Sequence, residues 1–327
     1  MTHINDLIDR ATEQREALVS KLRDEKTDCY RLFHGIVEGK PGLTIDQYGP
    51  IVLAQTFREP LEASELESLL ERYGDSLVYN HRGSKEERFS YHTPAAEALE
   101  PQTVRELDLL YSVTARHRGK DPHLFLDLRV GRRWLLERCA SKSVLNLFAY
   151  SCGLGQVAVA GGASEVWNVD FSESGLQLGR KNLALNSLSD EGVRMIAEDF
   201  FPVIWQLSGV GLRGKKARRR YVKLKERRFD FVLLDPPARA KGSFQMVDLV
   251  NDYQSLFKPA LLTCAKDGCV MATNNVAAVS REAFGELLTR CAEKAGRPLK
   301  NLYWLTPDED FPSFDGQHPL KIAICKV

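Results

Sequence analysis

Residues 143–172 read SVLNLFAYSCGLGQVAVAGGASEVWNVDFS, and the order of textures within them decides the fold class. An apolar β-rich run, Ser143 to Phe148, opens into small residues with Gly153 and Gly155. A helix-favouring segment follows, and a second apolar run ends on Asp170. Strand, small-residue loop, helix and strand form the start of a βαβ unit. Glycine allows a backbone to approach a ligand closely, and a helix start offers unpaired N–H groups. Asp170 stands 17 residues after Gly153. In doubly wound nucleotide folds an acid at the end of the second strand binds ribose hydroxyls. It can equally cap the helical segment that begins near Ser172.

The same alternation continues towards the C-terminus, through VRMIAED (193–199), FDFVLLD (229–235) and CVMATN (269–274). Short apolar strands separated by helices predict a parallel sheet covered on both faces. The third strand brings Asp199, and the fourth brings Asp235, Pro236 and Pro237. Two prolines stiffen the backbone just past a strand's carboxyl end, the edge where open α/β sheets place their ligands. Towards the N-terminus the texture differs. Residues 4–14 carry Ile4, Leu7, Ile8 and Ala11 on one helical stripe. Arg31 to Phe57 holds short β-rich runs between glycine and proline turns, which predict a small antiparallel sheet, and EASELESLLERYG (62–74) predicts a helix. The expected architecture is α/β, a Rossmann-like sheet over residues 121–327 behind a small α+β domain over 1–120.

The 327 residues are 43% hydrophobic and 27% charged, enough to bury a core. No apolar run approaches the roughly 20 residues that span a bilayer, and the charged N-terminus lacks the apolar centre of a secretory signal. Seven cysteines with no C-x-x-C pair argue against a disulfide framework or a zinc site and for a reducing cytoplasm. No metal and no membrane partner are expected. The formal charge is +1, but it is unevenly spread. Arg213 to Arg228 carries ten Lys/Arg against the single acid Glu226, a net +9, which leaves −8 for everything else. Charge this dense repels itself unless it meets an anion, so Arg218, Arg219, Arg220 and Lys223 are candidate RNA contacts; the alternative is a solvated loop.

The glycine turn, Asp170, Asp199 and Asp235-Pro236-Pro237, in this order and spacing, resemble class I S-adenosylmethionine methyltransferases. A dehydrogenase turn more often carries G-x-G-x-x-G, and CGLGQ (152–156) lacks the third glycine. LFLDLRVGRRWL (124–135) looks like the FLDQR-type helix of bacterial large-subunit ribosomal RNA methyltransferases, which include cytosine carbon-5 and guanine N7 enzymes. The text from Asn146 to Ser172 is similar to that family's NxFSYTGxFxxAA…GGAxxVxxVDxS. The segment from Arg31 to Gln55 resembles its small preceding domain. The likeness runs from about Arg31 to the C-terminus, and the PUA-type RNA-binding domain of some members is expected to be absent.

The resemblance implies S-adenosylmethionine as cofactor and large-subunit ribosomal RNA as partner. It puts Gly153 and Gly155 along the methionine part of the donor, Asp170 on the ribose and Asp199 on the adenine edge. Asn146, Phe148, Ala149 and Tyr150 in the turn, and Phe171, Ser172 and Phe200 beside the acids, become further donor contacts. Asp235 serves the reacting end, with Pro236, Pro237 and Asn274 in the catalytic segments. Arg129 pairs either with the donor carboxylate or with an ordinary ion-pair partner.

Which atom receives the methyl turns on a thiol. Carbon-5 of a pyrimidine becomes nucleophilic only after a thiolate adds to the ring. The cytosine members carry that cysteine just past the fifth strand, where this chain has Asn274 and Asn275. Cys264, in the preceding helix, and Cys269, at the strand's start, read as core, and Cys152 as a loop residue. A ring nitrogen needs positioning and a polar clamp instead, and TNN resembles the STNK-like text of the guanine N7 members. The expected reaction is therefore methylation of a ring nitrogen, guanine N7 first. The alternatives are a cytosine carbon-5 enzyme, a protein or small-molecule methyltransferase, or a non-catalytic RNA-binding protein. In this family an aromatic usually follows D-P-P as a stacking platform; here none occurs before Phe244.

Overall fold

A computed structural model describes residues 3–83, 93–115, 122–210, 220–241 and 246–327. The chain divides into two compact units, 1–129 with 307–316, and 130–306 with 317–327.

In the first unit, α1 (Ile4–Gln14) and α2 (Glu16–Asp24) lead to β1 (Cys29–His34), the short α3 (Gly35–Glu38), β2 (Leu43–Tyr48) and β3 (Ile51–Thr56). Then come α4 (Ala63–Tyr73), β4 (Leu77–His81), α5 (Ala96–Leu99), β5 (Gln102–Glu106) and β6 (Leu109–Val113). The apolar stripe of α1 packs as its spacing requires, with Ile4, Ile8 and Ala11 buried against Phe33, Ile45 and Tyr79 of the sheet's core. The expected antiparallel sheet is mixed: β1, β2 and β3 are antiparallel, but β4 runs parallel to β3. The cause is α4, which starts at a Glu62/Glu65 capping box and carries the chain across as a βαβ crossover. β5 and β6 form a separate hairpin.

The second unit contains α6 (Arg129–Leu136) but for its first residue, then β7 (Ser143–Leu147), α7 (Gly153–Ala160), β8 (Glu165–Asp170), α8 (Glu173–Leu185), β9 (Val193–Ala197) and α9 (Phe200–Leu207). It continues with β10 (Phe229–Leu234), β11 (Arg239–Lys241), β12 (Met246–Asp248), α10 (Tyr253–Leu262), β13 (Cys264–Asn274), α11 (Arg281–Lys294), β14 (Asn301–Leu305) and β15 (Lys321–Lys326). Seven strands lie in the order β14-β15-β13-β10-β7-β8-β9, and only β15 runs against the rest. Val144, Leu145, Val232, Leu233, Val270 and Ala272 are buried on the central strands, as expected of a parallel sheet covered on both faces. Cys264 begins β13 and does not lie in the helix before it, because the strand is longer than its apolar text. Among the described residues no helix is long and apolar enough to cross a membrane.

The expected boundary at 120/121 moves to 129/130, and residues 307–316 join the first unit. The reason is electrostatic. Arg129 is 0% exposed and its guanidinium meets Asp310 at 2.7 Å, Asp308 at 3.1 Å and Glu106 at 3.6 Å. Asp310 also accepts the backbone N–H of Arg31 (3.0 Å), and Arg31 forks onto Asp46 at 2.7 and 3.1 Å. Buried charges of this kind are tolerated because each has a partner, and removing one strands the others. Arg129→Ala is therefore expected to destabilise the protein by about 3–5 kcal/mol in urea denaturation followed by circular dichroism. A loss under about 1 kcal/mol would show that the cluster is not the clasp described here.

Candidate active site

From β7 the chain moves outward to β8 and β9, returns through α9 to β10 on the other side of β7, and continues to β13. The carboxyl ends of β7 and β10 therefore flank a topological switch point, where open α/β sheets form their ligand crevice. The expected glycine turn follows β7, Asp170 ends β8, and Asp199 and Asp235 come just after β9 and β10, so all four gather on this edge.

The turn after β7 is strained. Phe148, Tyr150 and Cys152 have φ of +59°, +49° and +61°, a left-handed region that costs non-glycine residues of order 1 kcal/mol or more each. Its surroundings hold it there. Tyr150 N–H donates to Asp170 Oδ2 (2.8 Å) and Ala149 N–H to the Val169 carbonyl (3.0 Å). From behind, α8 closes in through two glycines one turn apart. A Cβ on Gly175 would stand 2.7 Å from the Tyr150 oxygen, and one on Gly179 would stand 2.5 Å from Cys152 Sγ. The sequence reading missed this pair, although a G-x-x-x-G spacing inside a helix is its visible signal.

Two expected donor contacts in the turn need correcting. A Cβ on Gly155 would lie 2.0 Å from Asn168 Oδ1, so this glycine lets α7 pack on β8. Asn146 is buried and donates to that same Asn168 oxygen (2.8 Å), so its amide braces β7 against β8. Gly153, the first residue of α7, remains at the turn.

Asp170 is 8% exposed and anchored at both oxygens, Oδ2 by Tyr150 N–H and Oδ1 by Ser172 N–H, each at 2.8 Å. Each carboxylate oxygen has a second lone pair, so two acceptor positions remain. Burial pushes its carboxyl above the usual range, against the two N–H groups that favour the charged form. Ser172, not Asp170, caps α8, accepting from Gly175 N–H (3.2 Å). Phe171 is 65% exposed, an apolar ring at the edge of the crevice. Asp199 is buried and caps α9 by accepting from Phe201 N–H (3.0 Å). Phe200 and Phe148 stack on each other at 4.9 Å and 17°, so these two rings join the turn after β7 to the start of α9.

On the other side of the switch point, Thr273 donates its hydroxyl to Asp235 Oδ1, tying the end of β13 to the end of β10. Pro236 is buried and Pro237 exposed. Asn274 is 1% exposed with both amide ends engaged: Nδ2 donates to the Leu249 carbonyl (3.2 Å) and Oδ1 accepts from Val276 N–H (2.9 Å). Its expected contact with a base is thus replaced by a bracing role, and Asn275 is the exposed amide. β11 and β12 pair as a hairpin after D-P-P, which the sequence did not suggest; Phe244, the expected stacking residue, lies outside the described residues. None of the seven cysteines is in a disulfide, and all are buried. Burial pushes the Cys264 thiol up to about 12 and raises Cys152 and Cys269 as well. Cys269 lies five residues before Asn274 on β13, about 16 Å from that end at roughly 3.3 Å per residue.

Arg129 is corrected too. It is enclosed by Glu106, Asp308 and Asp310 in the first unit, the ordinary ion-pair alternative. Of the basic run, Arg218 and Arg219 lie outside the described residues, while Arg220 and Lys223 are exposed. Residues 222–227 form an extended strap on α9. Val222 N–H donates to Glu198 Oε2 (3.1 Å), Gln206 brackets Val222 and Leu224 at 2.9 and 3.1 Å, and Arg227 N–H donates to the Leu207 carbonyl (3.0 Å). Glu198 follows β9 and Leu207 ends α9, so the strap runs antiparallel to α9 and its Arg220 end lies at the carboxyl edge of the sheet. Arg227 pairs with Glu165 beside Trp167, whereas Arg220, Lys223 and Lys225 meet no carboxylate among the described residues.

An acid with open acceptor positions, an exposed ring beside it and a backbone turn held close to the sheet suit a nucleoside with a short charged tail. A family model described as S-adenosylmethionine-dependent methyltransferase matches residues 30–326. The chain belongs to this family. As a methyltransferase it uses S-adenosylmethionine as its methyl donor. Among curated proteins, this methyltransferase is 28% identical over 315 residues to "Ribosomal RNA large subunit methyltransferase I" of Aeromonas salmonicida, covering 92% of this chain and 74% of that protein. It is 26% identical over 332 residues to the protein of the same name from Shewanella frigidimarina, covering 98% and 79%. Solved structures show the same fold. SMU.776, described as a methyltransferase and complexed with SAH, superposes with a TM-score of 0.82 at 22% identity, covering all of this chain and 82% of that one. A SAM-dependent methyltransferase from Agrobacterium tumefaciens does so with 0.65 at 18%, covering 91% and 90%. Among the described residues no group of three or more His, Cys, Asp or Glu is placed to hold a metal ion.

Gly179→Ala tests the packing behind the strained turn. Helix propensity alone would favour alanine by up to about 1 kcal/mol. The clash with Cys152 is expected to reverse that sign, with a net loss of roughly 1–3 kcal/mol in chemical denaturation and weaker S-adenosylmethionine binding in calorimetry. A stabilised variant with unchanged donor affinity would refute the close packing.

Proposed function

We propose that this methyltransferase acts on large-subunit ribosomal RNA and transfers the methyl to a ring nitrogen, guanine N7 first. The observation that carries the reading is what stands at the substrate side of the donor edge: Asp235 held by Thr273, the exposed Asn275, and no thiol. The names of the curated relatives, matched over about three-quarters of their length, support RNA of the large subunit as substrate.

In this reading the turn 148–153 follows the methionine part of the donor. The open acceptor positions of Asp170 take the ribose hydroxyls, Phe171 lies against the adenine, and Asp199 stands at the adenine edge. Asp235 and Asn275 orient the base by hydrogen bonds to its polar edge. The donor supplies an electrophilic methyl on a sulfonium; the nitrogen lone pair forms the new N–C bond as the S–C bond breaks and its electron pair stays on sulfur. A lone pair of this kind needs alignment more than activation, which is what a rigid edge can provide. Carbon-5 chemistry requires a thiolate at the base, and the thiols near β13 are buried, remote from its carboxyl end and held protonated. Seven thiols with no disulfide among them also suit a reducing compartment such as the cytoplasm.

Mapping modified nucleotides in ribosomal RNA, with and without the gene, tests the reaction. Loss of a single methyl on a guanine nitrogen is the expected result. A missing carbon-5 methylcytosine, or a covalent adduct trapped by fluorinated pyrimidine RNA, would overturn the nitrogen assignment.

The strap supplies the electrostatic side of RNA binding. Arg220, Lys223 and Lys225 are carried on backbone pinned to α9, so they do not have to be ordered on binding. Changing the three to alanine should weaken RNA binding and flatten its dependence on salt, by about 0.7–0.9 in log–log slope for each lost phosphate contact. Donor affinity should not move. Superimposable binding curves at two salt concentrations would remove the strap from the interface.

A further inference from the structure

Lys321 is a buried charge that none of the roles above uses. It begins β15 and pairs in register with Asn274, the last residue of β13, so it stands at the carboxyl edge of the sheet next to the substrate side. It is 5% exposed. Its Nζ donates to the carbonyls of Val276 (2.6 Å) and Pro319 (2.8 Å), and among the described residues no carboxylate joins them. Val276 belongs to the segment that leaves β13, immediately after the exposed Asn275. Pro319 belongs to the segment that enters β15. One ammonium group thus bridges two loops on the same edge, and among the described residues no other charged group faces it. Burial alone pushes its amine down to about 8.

A structural tie between two carbonyls does not require a lysine at this cost. A neutral amide donor would avoid the desolvation of an uncompensated cation. What the charge adds is strength, since charge-assisted hydrogen bonds are about twice as strong as neutral ones. The tie falls at Val276, next to Asn275 and three residues after Thr273, which holds Asp235. Both polar groups assigned above to the base are therefore adjacent to the segment that Lys321 restrains.

We infer that Lys321 is a positioning residue for the substrate side of the site, its ammonium clamping the loop after β13 to the loop before β15 so that Asn275 and Asp235 meet the base in one fixed arrangement. The inference rests on the RNA reading for its substrate. It separates this clamp from the donor side, where no contact of Lys321 falls.

The wild-type enzyme provides the first test without mutation. Below about pH 8 the amine is charged and the clamp at full strength; above it the proton is lost and the tie weakens. The KM for a ribosomal RNA fragment is expected to rise about tenfold through that range while donor affinity stays level. Lys321→Met should show the high KM at every pH, without the inflection. Lys321→Gln, which keeps a neutral donor, should fall between the two and also lack the inflection. Hydrogen exchange over 275–279, corrected for intrinsic rate, should quicken in both variants with the protein alone. An unchanged KM and a retained inflection in Lys321→Met would overturn the inference. So would parallel losses of donor affinity, melting temperature and activity, which mark a merely structural residue. Should the wild type methylate no ribosomal RNA fragment, the RNA reading fails. The exchange measurement then decides the clamp: faster exchange over 275–279 sustains it and unchanged exchange removes it.

Discussion

The hydrogen bond from Tyr150 N–H to Asp170 is the constraint on which the donor edge depends. It lets the end of β8 dictate the shape of the turn that leaves β7, and it holds a residue in a conformation its side chain disfavours. Gly175 and Gly179 complete the arrangement from behind, because only a bare backbone face allows α8 to lie so close to residues 150–152. The acid that anchors the turn is also the one proposed above to take the ribose, and its two remaining acceptor positions are on the same carboxylate. Shape and recognition on this side are therefore coupled through one group.

Charge is allotted in two opposite ways along the chain. Arg129 and Arg31 are enclosed by carboxylates drawn from distant parts of the sequence, where they hold residues 307–316 into the first unit. In the strap, Arg220, Lys223 and Lys225 are exposed, while its backbone is hydrogen bonded to α9 and Leu224 packs against the core. The same residue type is a clasp where carboxylates surround it and a solvent-facing charge where none do.

The proposed substrate side is built from the ends of β10, β13 and β15. Thr273, Asn274 and Lys321 each spend their polar groups on a neighbour, which leaves Asp235 and Asn275 defined in position. This division of labour between bracing and presenting side chains explains why two adjacent asparagines have different environments, one buried and one exposed.

The amino-acid sequence by itself determined the α/β class, the order of the parallel strands' motifs and the acids at their ends. Those features are local: an apolar run of strand length, a small-residue turn and an acid just past a strand are properties of a few consecutive residues. It also showed that asparagines, Asn274 and Asn275, and no cysteine stand at the end of the fifth strand, which is a matter of position alone. What tertiary structure decided is which partner each polar group meets. Arg129 finds Asp308 at a separation of 179 residues, Gly155 faces Asn168, Asn274 turns inward to Leu249, and Lys321 reaches back 45 residues to Val276. None of these has a signature in either segment. Each depends on two stretches of chain brought to within hydrogen-bond distance by strand order, and strand order is settled by the burial of the sheet as a whole.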